Sequence, residues 1–149
     1  MTSAEYRQYL QSVRQAAKDA QRARDALTLA DHNLTRVSHA ATDATHVSFG
    51  GVNYDATAGR IHRYQCARES ATRRLHDSLE TLRAFRSELS VAPLYDRECN
   101  ALWLRHVGGL SYAKIGKELS VSSATAFRYV RDAETVLAES LGVDDPPRR

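Results

Sequence analysis

Apolar residues in the first 92 positions recur in steps of three and four, in two long runs; the steps alternate except for one extra step of three, from Ala20 to Ala23. Such spacing keeps the apolar residues on one face of a helix, so each run predicts a long helix with a single apolar seam. The first seam consists of Tyr6, Leu10, Val13, Ala17, Ala20, Ala23, Leu27, Ala30, Leu34, Val37, Ala41 and Ala44. The second seam consists of Ile61, Tyr64, Ala71, Leu75, Leu82, Phe85 and Leu89, interrupted by the polar residues Arg68 and Ser78.

Residues 45–59, between the two runs, carry no helical stripe. They contain Gly50, Gly51, Asn53, Asp55 and Gly59, and residues of these types favour turns. We therefore expect the chain to reverse direction in this loop. The two seams would then face each other in a long antiparallel, coiled-coil-like helical hairpin spanning residues 1–92.

The length of this hairpin bears on its oligomeric state. At about 1.5 Å per residue, a helix over residues 4–41 would extend roughly 57 Å. A lone pair of such helices leaves the flanks of each seam in water, whereas two hairpins together form a four-helix core. Residues 1–92 are therefore predicted to form a homodimer or tetramer. The alternative is an intramolecular hairpin that only spaces the C-terminal residues from a partner.

Residues 93–141 have shorter apolar steps, separated by turn residues, and predict a module of three short helices, a helix-turn-helix. Gly108 and Gly109 allow the first helix to end, and Ser111 and Ser122 are expected to cap the second and third. Gly116 is small enough for the third helix to cross closely. The apolar positions are Ala101, Leu102 and Leu104 in the first helix, Ile115 and Leu119 in the second, and Ala126, Val130, Ala133 and Leu137 in the third. Residues 142–149 are expected to be a flexible tail.

The other positions of the third helix predict a DNA-binding face. The residues expected to point away from the core, towards base edges or thymine methyl groups, are Ser123, Ala124, Phe127, Arg128 and Arg131. Ser122 and Thr125, at the start of this helix, are expected to bind phosphates through their hydroxyls and the helix N-terminus. Lys114 and Lys117 on the second helix are expected to add positive charge on the same side.

The module resembles the fourth region of bacterial sigma factors over about the last third of the chain. The matching residues are Arg97-Glu98, Ala101-Leu102, Leu104-Arg105, Gly109-Leu110-Ser111-Tyr112, Ile115, Leu119, Val121-Ser122 and Thr125-Ala126. A long charged helical part followed by such a module is similar to the small late-transcription regulators of phages and prophages of Gram-positive bacteria. The resemblance implies a sequence-specific DNA-binding transcription regulator, an activator of phage or prophage genes, whose partner is double-stranded DNA.

RNA polymerase is a further partner to consider for such a regulator. The candidate residues for this contact are Trp103 and Tyr112. The alternative for both residues is that they pack in the core of the module itself.

The chain departs from the sigma pattern in its turn and in its charge. Sigma-like modules carry glycine where this chain has Ser120, and a non-glycine residue at positive φ costs about 1 kcal/mol. Residues 93–149 contain eight Lys or Arg and eight Asp or Glu, so attraction to phosphates must come from local placement of charge.

The zero net charge of residues 93–149 favours an alternative function, a helical adaptor that docks a protein. A small DNA-packaging protein similar to terminase small subunits is also compatible with the pattern, and it would form a ring of more than four chains.

Composition narrows the classes of protein to which the chain can belong. With 42% hydrophobic and 26% charged residues and a net charge of +3, the chain suits a small soluble protein. There is no apolar run of about 20 residues and the N-terminus is polar, so we expect a cytoplasmic protein without membrane contact. The two cysteines lack CxxC spacing, and no metal or cofactor is expected. No phosphate-binding loop or nucleophile elbow is recognisable, which predicts that the chain is not an enzyme.

Overall fold

The fold is all-α in a computed structural model that describes residues 1–46 and 54–144. Its five helices are α1 (Ser3–His46), α2 (Tyr54–Val91), α3 (Asp96–His106), α4 (Tyr112–Glu118) and α5 (Ser123–Ser140). The predicted all-α class is confirmed, and the two ranges contain no strand. None of the helices in these ranges combines the length and the apolar character that a membrane span requires.

The two long helices extend further than the predicted loop allows. Helix α1 continues to His46 and α2 begins at Tyr54, so the prediction of a non-helical segment over residues 45–59 is wrong at both ends. Gly59 lies inside α2. A glycine in a helix interior costs about 1 kcal/mol relative to alanine, and a helix of 38 residues absorbs that cost. Residues 47–53 lie outside the described ranges.

Both predicted seams are confirmed by burial. Among seam residues whose side chains are described, all are buried or partly buried except Arg68, one of the two polar interruptions. Near the start of α1, the Tyr9 hydroxyl donates to the Glu88 carboxylate near the end of α2. The Tyr9 ring also meets the ring of Phe85 edge-on, with centroids 6.2 Å apart. The start of α1 therefore lies beside the end of α2, as an antiparallel pair requires.

The chain divides into two compact units. Unit one combines Met1–Lys18 with Leu79–Arg149, so the beginning of α1 and the end of α2 belong with the three short helices. Unit two is Asp19–Ser78, the remaining parts of the long helices. In unit two, the Arg68 guanidinium lies 3.0 Å from the Asp31 carboxylate, which links α2 to α1.

Unit one has a core of large apolar side chains. The largest fully buried ones are Phe85, Leu102, Ile115, Leu137, Val13 and Val130. The ring of Phe85 stacks on Trp103 of α3, with centroids 6.1 Å apart. The Tyr6 hydroxyl of α1 donates to the Glu134 carbonyl of α5 at 2.9 Å. The short helices therefore share one core with the ends of the long helices, which the seam pattern alone did not predict.

The chain stays packed beyond α5, where the sequence pattern predicts a flexible tail from residue 142. Gly142 adopts a positive φ of 68°. The Val143 N–H donates to the Ala138 carbonyl at 3.0 Å and the Gly142 N–H to the Glu139 carbonyl at 3.1 Å, a Schellman motif. Val143 is buried in the core of unit one. The predicted tail is therefore wrong for residues 142–144, and residues 145–149 lie outside the described ranges.

Candidate functional site

A tight turn joins α4 to α5. A Cβ atom on Gly116 would lie 2.7 Å from the Val121 carbonyl oxygen, so only glycine fits this crossing. This confirms the predicted close approach. Ser120 occupies the turn with a φ of 56°, the left-handed conformation expected of the residue that replaces glycine. The Val121 N–H donates to the Gly116 carbonyl at 2.8 Å and closes the turn.

Two serines stand at the N-cap positions, and they behave differently. The Ser122 hydroxyl accepts a hydrogen bond from the Thr125 N–H at 3.0 Å, which confirms it as the cap of α5. Its oxygen also lies 2.8 Å from the Thr125 hydroxyl. Ser111 starts α4 with its main chain only, accepting from the Ile115 N–H at 2.9 Å. Its side chain makes no capping bond and stays exposed, so the prediction of a hydroxyl cap is wrong there.

Helix α5 separates a buried face from an exposed face, as its pattern predicts. The predicted core positions Ala126, Val130, Ala133 and Leu137 are at most 1% exposed. The predicted outward residues Ser123, Ala124, Phe127, Arg128 and Arg131 are all exposed, while Thr125 is half-buried. The first two and a half turns of α5 therefore present small and cationic side chains, together with one aromatic ring, to solvent.

The positive charges of this region are only partly brought together. The Arg131 guanidinium lies 5.7 Å from the centre of the Phe127 ring, within cation–π range. Lys114 and Lys117 are exposed on α4. Within the ranges that the structure covers, no hydrogen bond, ion pair or ring contact joins these lysines or Arg128 to a neighbour. None of these three side chains therefore forms an ion pair with a described carboxylate.

An aromatic row connects α3, α4 and α5 beside this surface. The Arg105 guanidinium lies 4.4 Å from the centre of the Tyr112 ring. The Tyr112 ring meets the Phe127 ring edge-on, with centroids 5.2 Å apart and planes 84° apart. Arg131 joins the row through its contact with the Phe127 ring. Sequence reasoning missed this row, although an aromatic residue at an outward helix position was its visible signal.

The two candidates for a polymerase contact both pack within unit one. Trp103 is half-buried on Phe85, and the Arg86 guanidinium lies 5.7 Å from its ring centre. Tyr112 is half-buried between Arg105 and Phe127. Both aromatic residues therefore take part in the packing of the module.

A buried polar link, also unforeseen, ties α3 to α5. His106 is 3% exposed, and its Nε2 atom lies 2.8 Å from the Glu134 carboxylate. Its Nδ1 atom is buried without a partner among the described residues. Because Glu134 also receives the Tyr6 hydroxyl at its carbonyl, this one residue of α5 holds both α3 and α1.

Two tyrosine hydroxyls and a thiol that are buried or partly buried in unit one have raised pKa values. Burial raises the pKa of Tyr6, and the negative charge of Glu134 adds to the effect. Burial and the hydrogen bond to Glu88 raise the pKa of Tyr9. Burial also raises the pKa of the Cys99 thiol, and the negative charge of Asp96 adds to the effect. The described part of the chain contains no cluster of three or more metal-binding side chains.

Comparison with known protein families, curated proteins and solved structures finds no match for this chain. Its function is therefore inferred from the chemistry and geometry of α4 and α5.

Proposed function

We propose that this chain is a sequence-specific DNA-binding transcription regulator in which α3, α4 and α5 form a helix-turn-helix module and α5 is the recognition helix. The observation that carries this proposal is the exposed face of α5. Its early outward positions are free of core packing, while the tight turn at Gly116 and the cap at Ser122 fix where the helix begins. Recognition helices contact base edges with their N-terminal residues, and this part of α5 is accessible.

The side chains suggest a division of labour on DNA. Ser122 and Thr125 lie at the N-terminus of α5, where hydroxyls and free N–H groups bind phosphate oxygens. Arg128 and Arg131 are long enough to reach guanine edges or phosphates. Lys114 and Lys117 add phosphate contacts from α4. Ser123, Ala124 and Phe127 offer small polar and apolar surfaces to the bases.

Self-association supports sequence-specific binding by a module with little net charge. Unit two leaves the leucines of its seams half-buried, so a second copy has apolar surface to cover. A dimer or tetramer would present two recognition helices, and half-sites about 34 Å apart would double the number of base contacts. The resemblance to phage and prophage regulators supports an activator in the bacterial cytoplasm, with RNA polymerase as an additional partner and no enzymatic activity.

One observation favours a second function. The balance of eight basic and eight acidic residues over positions 93–149 suits a module that docks a protein rather than a polyanion. In that case the chain is a helical adaptor. A related alternative that does bind DNA is a DNA-packaging subunit similar to terminase small subunits. It would form a ring of more than four chains, so its molecular mass in solution would distinguish it from a dimeric or tetrameric regulator.

The deciding experiment is a salt series of DNA binding. The full chain is titrated with duplex fragments from the neighbourhood of its own gene and with an unrelated fragment of equal length. The double variant Arg128→Ala, Arg131→Ala is measured beside it. The matched control is Arg63→Ala, Arg73→Ala, which removes the same charge from exposed positions of α2.

A regulator should prefer one native fragment by at least about a thousandfold, lose that preference in the α5 variant and keep it in the α2 control. The proposal would be contradicted if the parent chain bound all fragments equally and the α5 variant bound them as tightly as the parent does. Absence of binding at low salt would favour the adaptor.

A further inference from the structure

The position of Phe127 stands out on the exposed face of α5. It is a large apolar side chain that is 41% exposed, on a face otherwise made of small and cationic residues. The Tyr112 ring meets the Phe127 ring edge-to-face, with centroids 5.2 Å apart, and the Arg131 guanidinium lies 5.7 Å from the centre of the Phe127 ring. An exposed aromatic side chain fixed by two neighbours loses little conformational freedom when a ligand covers it.

Phe127 also lies in register with the residues proposed to contact bases. Counting from the cap at Ser122, it is the fifth residue of α5, one turn after Ser123. Residues four apart share a helix face, so Ser123 and Phe127 face the same groove. An apolar group at this place cannot bind a phosphate. The apolar feature that a major groove offers is the 5-methyl group of thymine.

We infer that Phe127 is a specificity-determining residue that contacts the 5-methyl group of a thymine in the bound site. This inference rests on the proposed DNA-binding function and adds the base that the site must contain. Arg131 has a second role here, because its contact with the ring holds both the aromatic group and a cation at the same edge of the recognition face. Arg105 acts more remotely, through Tyr112, as a positioning residue.

The test uses the difference between thymine and uracil, which is that one methyl group. The full chain first selects duplexes from a random pool. Each thymine of the preferred duplex is then replaced singly by deoxyuridine, and affinities are measured for the parent chain and for Phe127→Ala. Phe127→Gln keeps a side chain of similar reach without the apolar surface, so it replaces the alanine variant if that variant fails to fold by circular dichroism.

At one thymine per half-site, the parent should lose about fourfold in affinity on removal of the methyl group. That loss should vanish in both Phe127 variants and persist in Arg128→Ala, which weakens binding by another route. Val91→Ala removes an 82% exposed apolar side chain in unit one and should change neither the affinity nor the thymine preference.

The outcomes separate this inference from the function on which it rests. If no duplex is enriched from the pool, the proposed DNA-binding function fails and the inference falls with it. If a duplex is enriched but no thymine-to-uracil change matters, the inference alone is overturned. A thymine preference that survives in the Phe127 variants overturns it too, and a lowered melting temperature in those variants would then assign the ring a purely structural role.

Discussion

The two units of this chain bury different kinds of residues. Unit one fully buries large side chains, including Phe85, Leu102 and Leu137, together with alanines. In unit two the buried residues among those whose side chains are described are all small: Ala20, Ala23, Ala30, Ala71 and Ser78. Its larger seam residues, such as Leu27 and Leu34, are only half-buried, and Leu29 is 61% exposed. Unit one therefore buries a core of large side chains without a second copy of the chain. Unit two packs its two helices through alanines, and its seam leucines keep apolar surface exposed to solvent.

This difference indicates what each unit is suited for. Close-packed large side chains hold helices in one arrangement, because each void or shift loses many contacts at once. The exposed face of α5 therefore rests on a rigid support. Alanine seams let helices approach closely but bury little apolar area, so unit two has much to gain from a second copy of the chain.

The largest expected contrast is between two leucines, one in each unit. Leu102→Ala empties a fully buried site in unit one and should lower the free energy of unfolding by about 3 to 5 kcal/mol. Leu34→Ala, at a half-buried site in unit two, should cost about 1 kcal/mol. Denaturant unfolding measures both, with the fluorescence of Trp103 reporting unit one and circular dichroism reporting total helix.

Repeating these unfolding measurements at several protein concentrations sharpens the comparison between the two leucines. If a second copy covers the seam of unit two, the cost of Leu34→Ala should depend on concentration and that of Leu102→Ala much less. Equal costs for the two leucines at every concentration would remove the distinction between the units.

Replacing two glycines by alanine should change the stability of the chain in opposite directions. Gly116→Ala would place a Cβ atom 2.7 Å from the Val121 carbonyl, so it should destabilise unit one by about 1 to 3 kcal/mol and displace the start of α5. Gly59→Ala meets nothing within 4 Å in α2 and should stabilise by about 1 kcal/mol through helix propensity. Thermal unfolding of both variants checks the signs. A neutral Gly116→Ala would mean that the α4–α5 crossing is not tight.

Alkaline pH should act on unit one through its buried tyrosines. The pKa of Tyr6 is raised in the folded chain, so its hydroxyl stays protonated there after an unfolded tyrosine, with a pKa near 10, has ionised. Its contribution to stability is complete below about pH 10 and is lost as the pH rises further. Tyr6→Phe should cost about 1 kcal/mol at neutral pH, because the Glu134 carbonyl loses a donor.

The same variant should show a smaller loss of stability between pH 9 and about 11 than the parent chain does. Unfolding free energies measured at several pH values in that range give the comparison, with Phe85 contacts reported by Trp103 fluorescence. Parallel pH profiles for the two chains would show that Tyr6 does not contribute to alkaline unfolding.

The local periodicity of the sequence was enough to predict the helices and their buried faces. A step of three and four identifies which residues share a face, so the seams and the inward positions of α5 followed directly from the pattern. The close approach at Gly116 followed from its small size between two helices, and the left-handed turn at Ser120 followed from the resemblance to sigma modules, which carry glycine there. These predictions concern residues that are near in sequence.

The contacts that the sequence did not predict are those between distant residues. Phe85 looks like an ordinary seam residue, and nothing in its neighbours indicates that Trp103 and His106 cover it. The aromatic row had a signal in Phe127, but its partners Tyr112 and Arg105 are 15 and 22 positions away. The packed end at Val143 has a local signal in Leu141-Gly142, a helix end followed by glycine.

The smallest expected contrast concerns polar links. The Arg68–Asp31 pair of unit two has side chains that are 57% and 53% exposed, so Arg68→Ala should change the free energy of unfolding by less than about 0.5 kcal/mol. The His106–Glu134 link of unit one is buried on the histidine side, and Glu134→Ala should cost about 1 to 3 kcal/mol because it leaves a buried ring nitrogen without its partner.

Unfolding at low and at 1 M salt separates the two cases. Salt should remove the small effect at Arg68 and leave the effect at Glu134, because solvent ions screen exposed charges far more than buried ones. A large, salt-resistant cost at Arg68 would instead indicate that this pair is covered in solution, as a second copy seated on unit two would cause.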